Sequence, residues 1–293
     1  MNENRLDSSA APLRDEPIAA GDGLMLAASV AGERGQPGVV LLHGAGQTRH
    51  SWRGTVATLG ALGYHALAYD ARGHGESGWS PQSDYSYERL ADDLDAVVRH
   101  LGCTPAIVGA SMGGMTALHS IGRAQAGYAR SIVLVDIAPR VEPQGLKRVH
   151  DFLNGHRNGF ASIEEASDAV AAYNPHRPRP SNPQGLMKNL RRREDGRLYW
   201  HWDPGFFERR DKPMRESHAA KVLDMCRSVT IPAMLVLAAQ SDVVGREGIE
   251  ELREALPQLE IGLVRGAGHM IAGDRNEAFN EAILPFIERH SAH

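Results

Sequence analysis

Pro105-Ala106-Ile107-Val108-Gly109-Ala110-Ser111-Met112-Gly113-Gly114 decides how this chain is read. A short apolar run, bounded by a proline, ends in Gly-x-Ser-x-Gly, and a helix-compatible segment from Met115 to Arg123 follows. In that strand-turn-helix context the motif puts a serine at a turn so tight that its backbone is strained. Glycines at 109 and 113 remove the Cβ atoms that would meet the neighbouring strand and helix. The hydroxyl of Ser111 is then lifted out of the sheet, and the helix behind it aims its first N–H groups at the same point. Ser111 reads as a nucleophile.

Outward from this turn, strands and helices alternate. Leu24–Ala31 is weakly strand-like, and Val39–Leu42 is an apolar strand of the kind covered on both faces. His50–Leu62 reads as a helix, Tyr64–Tyr69 as a strand, and Tyr87–Leu101 as an amphipathic helix with Leu90, Leu94, Val97, Val98 and Leu101 on one side. Ser131–Val135 is a further strand, ending at Asp136. Such alternation predicts a parallel sheet with right-handed crossovers. From Arg140 to about Arg227 no strong strand appears; helical patterns occupy 145–153, 163–173, 185–193 and 215–226. The sheet pattern resumes at Ala233–Ala238 and Leu259–Val264, with a helix at 248–256 between them and a last helix at about 275–289. The expected organisation is a tail over 1–17, a core domain of 18–139 and 229–293, and a helical lid inserted at 140–228.

Four loops directly follow predicted parallel strands: His43-Gly44-Ala45-Gly46, the turn at Ser111, Ser241-Asp242 and Gly266-Ala267-Gly268-His269. In open α/β sheets reactive groups collect at the carboxyl ends of the strands, so these loops share one edge. A serine hydroxyl needs a base within reach, and the base needs a partner that fixes its tautomer. His269, flanked by glycines that let its loop bend back over the sheet, is the candidate base. Asp242 is the candidate acid; Asp136 also ends a strand and is the alternative, otherwise a structural carboxylate in the same cleft. The oxyanion formed by attack on an acyl carbon needs preorganised donors. The N–H of Met112 and that of Ala45, with Gly46 second, are the candidates, and His43 reads as a structural hydrogen-bonding residue. Gly46, Trp52, Met115, Trp200 and Met270 are candidate substrate walls, each with plain packing as the competing reading.

In order along the chain, His43–Gly46, Asp70-Ala71-Arg72-Gly73-His74-Gly75-Glu76-Ser77, Gly109–Gly113, Ser241-Asp242 and Gly266–His269 resemble the α/β-hydrolase superfamily. Within it the chain is similar to lidded bacterial serine esterases, C–C hydrolases and cofactor-free haloperoxidase-like enzymes. The resemblance implies an eight-stranded, mostly parallel sheet flanked by helices, the triad Ser111–Asp242–His269, and a helical lid. Serine at the nucleophile position separates it from the epoxide hydrolases and haloalkane dehalogenases, which carry aspartate there. Cleavage of a small ester or lactone is the leading expectation. Perhydrolysis or C–C cleavage by the same triad, and a non-catalytic small-molecule receptor on the same fold, are the alternatives.

Composition bounds the rest. The 293 residues are 42% hydrophobic and 23% charged, with a net charge of −4, so nothing global points to nucleic acid. The segment 140–228 carries a net +5 against −9 elsewhere, a solvated basic face or an attraction for anionic substrates. Cys103 and Cys226 lack metal or redox spacing. No signal-like or membrane-length apolar run is seen, so a cytoplasmic protein without metal, cofactor or membrane partner is expected, as a monomer or a homodimer.

Overall fold

A computed structural model describes residues 10–124, 126–174, 179–208, 216–239, 241–264 and 276–291. Eight strands form the main sheet: β1 (Arg14–Ala19), β2 (Met25–Ala31), β3 (Gly38–Leu42), β4 (His65–Tyr69), β5 (Ala106–Ala110), β6 (Ser131–Val135), β9 (Ala233–Ala238) and β10 (Leu259–Val264). Their order is β1-β2-β4-β3-β5-β6-β9-β10. β2 runs antiparallel to both β1 and β4; the other pairings are parallel. The predicted mostly parallel sheet is present.

β3, β4, β5 and β6 are buried at every position, because helices cover both faces. Alternation along each strand divides their side chains between two layers. Val40, Leu42, Leu67, Ile107, Ile132 and Leu134 meet the layer containing α2 (Tyr87–Leu101), α3 (Met112–Arg123), α7 (Glu216–Ser228) and α8 (Arg246–Ala255). Val39, Leu41, Ala68, Val108, Val133 and Val135 meet the other, formed by α1 (Arg53–Ala61) and α9 (Asn276–Ser291). α2 spans the predicted residues. The Ser86 hydroxyl accepts from Arg89 N–H at its start, and Gly102, with φ of 78°, ends it.

Two expectations change. Residues 14–17, expected within a tail over 1–17, are strand instead, because Arg14–Ala19 pairs with β2 from Arg14↔Val30 to Ala19↔Met25 and forms the sheet's edge. Between β6 and β9, α4 (Pro143–Asn154) and α5 (Ile163–Tyr173) are helices as predicted, but 185–193 is not one. A 3₁₀ turn over Pro183–Asn189 leads into β7 (Leu190–Arg192), which pairs antiparallel with β8 (Leu198–Trp200). Asp195-Gly196 supplies the hairpin turn, with Gly196 at φ of 79°. A helix-like spacing of leucines masked a short hairpin. After it comes α6 (Gly205–Glu208).

The underside of this insertion fuses with the core. Leu153, Phe160, Trp200, Trp202, Phe206 and Phe207 form one apolar cluster with Ala71, Leu90 and Met112, against which Ala45 packs. The insertion therefore sits over the loops that follow β3, β4 and β5.

Candidate active site

β5 ends at Ala110 and α3 begins at Met112, leaving one residue, Ser111, to reverse the chain. Its φ of 45° and ψ of −109° lie where L-residues rarely go. A Cβ on Gly109 would lie 2.6 Å from the Gly113 backbone, and one on Gly113 would lie 2.6 Å from the Leu42 carbonyl oxygen. The strand before the turn, the helix after it and neighbouring β3 thus approach too closely for a side chain at either glycine. Ser111 N–H donates to Val135 O at 3.0 Å, tying the turn to the end of β6. β3 and β5 are adjacent, yet the chain leaves them in opposite directions, to β4 and to β6. Ser111 therefore stands at the topological switch point, where open α/β sheets leave a crevice.

On the far side of β5, Asp136 follows β6 with φ of 49° and is buried. Its carboxylate accepts from the Ser241 hydroxyl at 2.8 Å and from Ala238 N–H at 3.4 Å. Asp242 follows β9 and is half-exposed, and its carboxylate pairs with the Arg148 guanidinium of α4. Glu142 N–H donates to Val243 O at 2.8 Å, so α4 is pinned to this loop by backbone as well. Tyr173 of α5 stacks on Phe152 of α4 with ring centres 4.2 Å apart. Burial pushes its phenol up to about 12, Arg148 opposing and Asp136 adding to the rise. His269 and Met270 lie outside the described residues.

The loop after β3 is held by three buried histidines. His43 Nε2 accepts from Ala71 N–H at 2.9 Å, which leaves its proton on Nδ1, 2.8 Å from Gly44 O. His74 Nε2 accepts from Gly46 N–H at 3.1 Å, and its Nδ1 faces Arg72 O at 3.3 Å. His201, just beyond β8, accepts from Gly75 N–H at 2.7 Å through Nδ1 and faces Gly46 O at 3.3 Å through Nε2. A doubly protonated ring would turn an N–H against a backbone N–H at each of these places. Burial accordingly pushes His43 down and His201 down to about 3.

Asp70 organises the next loop. Its carboxylate accepts from Arg49 N–H at 2.7 Å and Glu76 N–H at 2.9 Å and pairs with the Arg49 guanidinium. Arg72 makes two 2.6 Å bonds to the Asp93 carboxylate on α2. The motif Asp70–Ser77 is thus a scaffold beneath the site. None of the hydrogen bonds among the described residues engages the N–H of Ala45 or of Met112. Among the described residues no group of three or more His, Cys, Asp or Glu side chains is arranged to hold a metal ion.

Ser111, Met112, Ala45 and Gly46 follow β5 and β3 at one edge of the sheet, and Trp200 and Trp202, stacked with ring centres 5.0 Å apart, share an apolar cluster with Met112 against which Ala45 packs. A Cβ on Gly46 would lie 2.3 Å from Leu153 and 3.3 Å from the Trp202 ring, so the insertion rests directly on that glycine. Two expected walls are packing residues instead. Trp52 is fully buried in the α1–α9 layer, 5.3 Å from the Phe279 ring. Met115, one turn along α3 from Ser111, faces the α2–α3 layer with Ile137. The sequence pattern does not single out the histidines at 74 and 201. His74 lies inside the motif Asp70–Ser77, but His201 lies 155 residues from the glycine it faces, and no local pattern marks it.

Residues 39–282 match the profile of the alpha/beta hydrolase family. The chain is 29% identical over 264 residues to the esterase Rv0045c of Mycobacterium tuberculosis, covering 86% of this chain and 83% of that protein. It is 26% identical over 275 residues to the sn-1-specific diacylglycerol lipase ABHD11 of Mus musculus, covering 87% and 82%. The crystal structure of E-2-(acetamidomethylene)succinate hydrolase superposes with a TM-score of 0.80 at 21% identity, over 94% of this chain and all of that one. With the match extending across six of the eight strands, from β3 to β10, the chain belongs to the alpha/beta hydrolase family.

Proposed function

We propose that this protein is a serine hydrolase that cleaves a small carboxylic ester or lactone through an acyl-enzyme on Ser111. The strained backbone of Ser111 at the start of α3 is the observation that carries the reading. Likeness to proteins named esterase and lipase supports ester chemistry. In the proposed cycle His269 takes the Ser111 proton as Oγ attacks the acyl carbon, and Asp242 fixes the ring of His269. The N–H groups of Met112 and Ala45 stabilise the oxyanion. His269 returns the proton to the leaving alcohol. Water, activated by the same imidazole, then releases the acid and restores the hydroxyl. Trp200 and its aromatic neighbours over Gly46 supply an apolar roof for the acyl group, with Met270 as a further wall and the insertion as lid.

A second reading gives the acid's role to Asp136. It is favoured by burial beside the turn, while Asp242 is engaged by Arg148. Free thiols at Cys103 and Cys226 fit a reducing, cytoplasmic setting.

The test is labelling by a fluorophosphonate together with turnover of p-nitrophenyl esters and acyl lactones, in wild type and Ser111→Ala. Labelling and turnover in the wild type, both abolished in a folded Ser111→Ala, support the reading. An unlabelled, folded wild type points to a receptor. Turnover enhanced by peroxide, with formation of a peracid, points to perhydrolysis.

A further inference from the structure

We propose that His201 is a positioning residue of the oxyanion loop, through which the insertion sets the geometry of the loop that offers the Ala45 N–H. The inference rests on the Ser111 hydrolase reading and adds to it a residue on which the hole's geometry depends.

A trans peptide points its C=O and N–H in opposite directions, so holding one aims the other. Gly44 O accepts from Gln47 N–H at 3.1 Å and faces the protonated Nδ1 of His43, which turns the Ala45 N–H away from both. The next peptide is held through its N–H, donated by Gly46 to His74. The one after is held through Gly46 O, opposite His201 Nε2. Three consecutive peptide planes thus each meet one imidazole. Gly46, with φ of 73°, is the residue at which the loop would otherwise pivot. Two of the imidazoles belong to the core; only the third is supplied by the insertion.

The Nδ1 of His201 accepts from Gly75 N–H, which forces its proton onto Nε2 and makes that nitrogen the donor to Gly46 O. Its ring stands edge-on to Trp202, with centres 5.2 Å apart. The hairpin is tied to the same core loop in other ways. Asp203 N–H donates to Gly73 O at 2.8 Å, the Tyr85 hydroxyl bonds the Asp203 carboxylate, and the Arg191 guanidinium bonds Gly75 O. Removing the nitrogens of His201 therefore leaves the insertion docked and releases one end of Gly46.

The experiment compares His201→Gln, His201→Asn and His201→Phe with wild type and Ser111→Ala. A glutamine amide reaches the place of Nε2 and keeps a donor for Gly46 O. An asparagine amide reaches only the place of Nδ1 and keeps the bond to Gly75. Phenylalanine keeps the ring and neither bond. The expected order of kcat for a p-nitrophenyl ester is wild type, then Gln, then Asn and Phe together, the last two down about tenfold to a hundredfold with KM changed less than about threefold. Affinity for phenylboronic acid, whose serine adduct carries a tetrahedral oxyanion, falls by the same factor. Equal kcat in all variants, an Asn variant as active as Gln, or a loss that appears only in KM overturns the inference. The Asn–Gln order still decides if the Phe variant does not fold. Activity surviving in Ser111→Ala would instead remove the hydrolase reading on which the inference stands.

Discussion

At Gly113 a single methyl group has nowhere to go. The position its Cβ would occupy is 2.6 Å from both the Cβ and the carbonyl oxygen of Leu42, and backbone cannot swing aside as a side chain can. Gly113→Ala is expected to lower stability by about 1–3 kcal/mol and to depress turnover further, because the forced shift lies two residues from Ser111. Chemical unfolding and ester turnover measured together check this; a variant of unchanged stability and turnover refutes it. The carboxylates are separated at the same scale. Asp242→Asn is expected to cut kcat by about 10²–10⁴ with little change in unfolding midpoint, as loss of a tautomer-fixing partner does. Asp136→Asn, inside a buried bonding set with Ser241 and Ala238, is expected to act mainly on stability. The reverse outcome transfers the acid's role to Asp136. The serine turn was legible in sequence because its requirement is local: glycines two residues either side and a helix directly after. His201 was not, because its role comes from a contact across 155 residues.

Among the elements, those whose register follows from their own side chains were the readable ones. α2 carries its amphipathic stripe, a serine cap and a terminal glycine, and the structure reproduces its predicted limits. Ser86→Ala is expected to cost about 0.5–2 kcal/mol in chemical unfolding, nearer the low end because the bond is long and exposed. The sheet strands were legible for the same reason, being continuous apolar runs. β1 was not: its pattern Arg14-Asp15-Glu16-Pro17-Ile18 is that of an edge, stabilised by pairing with β2 rather than by burial. β7 and β8 were hidden too, since three-residue strands depend on the partner strand and on the Phe160–Leu198 bridge beside them. At the base of the insertion, Arg148 meets Asp242 with both side chains only partly covered, so solvent screens the pair and it adds little to stability. Arg148→Ala is expected to shift the unfolding free energy by less than about 1 kcal/mol. Its effect belongs instead to turnover: freeing the Asp242 carboxylate should change kcat, and an unchanged kcat would place that carboxylate outside the chemistry.

Over the whole molecule, the buried histidines join the core loops to the insertion and make the fold sensitive to mild acid. Burial pushes His201 in the folded protein down to about 3, whereas in the unfolded chain it protonates near 6.5. Below 6.5 the unfolded state binds the extra proton, so stability falls as pH falls, and the loss continues until about 3. Burial is the main cause; His43 and Arg191 push the same way, Asp70 and the bond to Gly46 oppose, and burial prevails. His43 shares the direction for the same reason. Carboxylates whose pKa the fold lowers, such as Asp22 beside Arg72, lose their contribution only at lower pH, below their ordinary value of 3.8. The interval from pH 6.5 to 5 therefore lies above the range in which those carboxylates act. His201 is worth up to about 1.4 kcal/mol per pH unit there. Urea unfolding of wild type across that interval should show a decline that His201→Phe, with one titrating ring fewer, shows less steeply by about 1–2 kcal/mol. Identical slopes would mean that His201 takes up its proton in the folded state as readily as in the unfolded one, and the accepting bond from Gly75 could not then be what holds it. On the proposed mechanism turnover is expected to rise with pH as the catalytic base loses its proton, so a stability profile and a rate profile that separate along the pH axis would assign the two effects to different imidazoles.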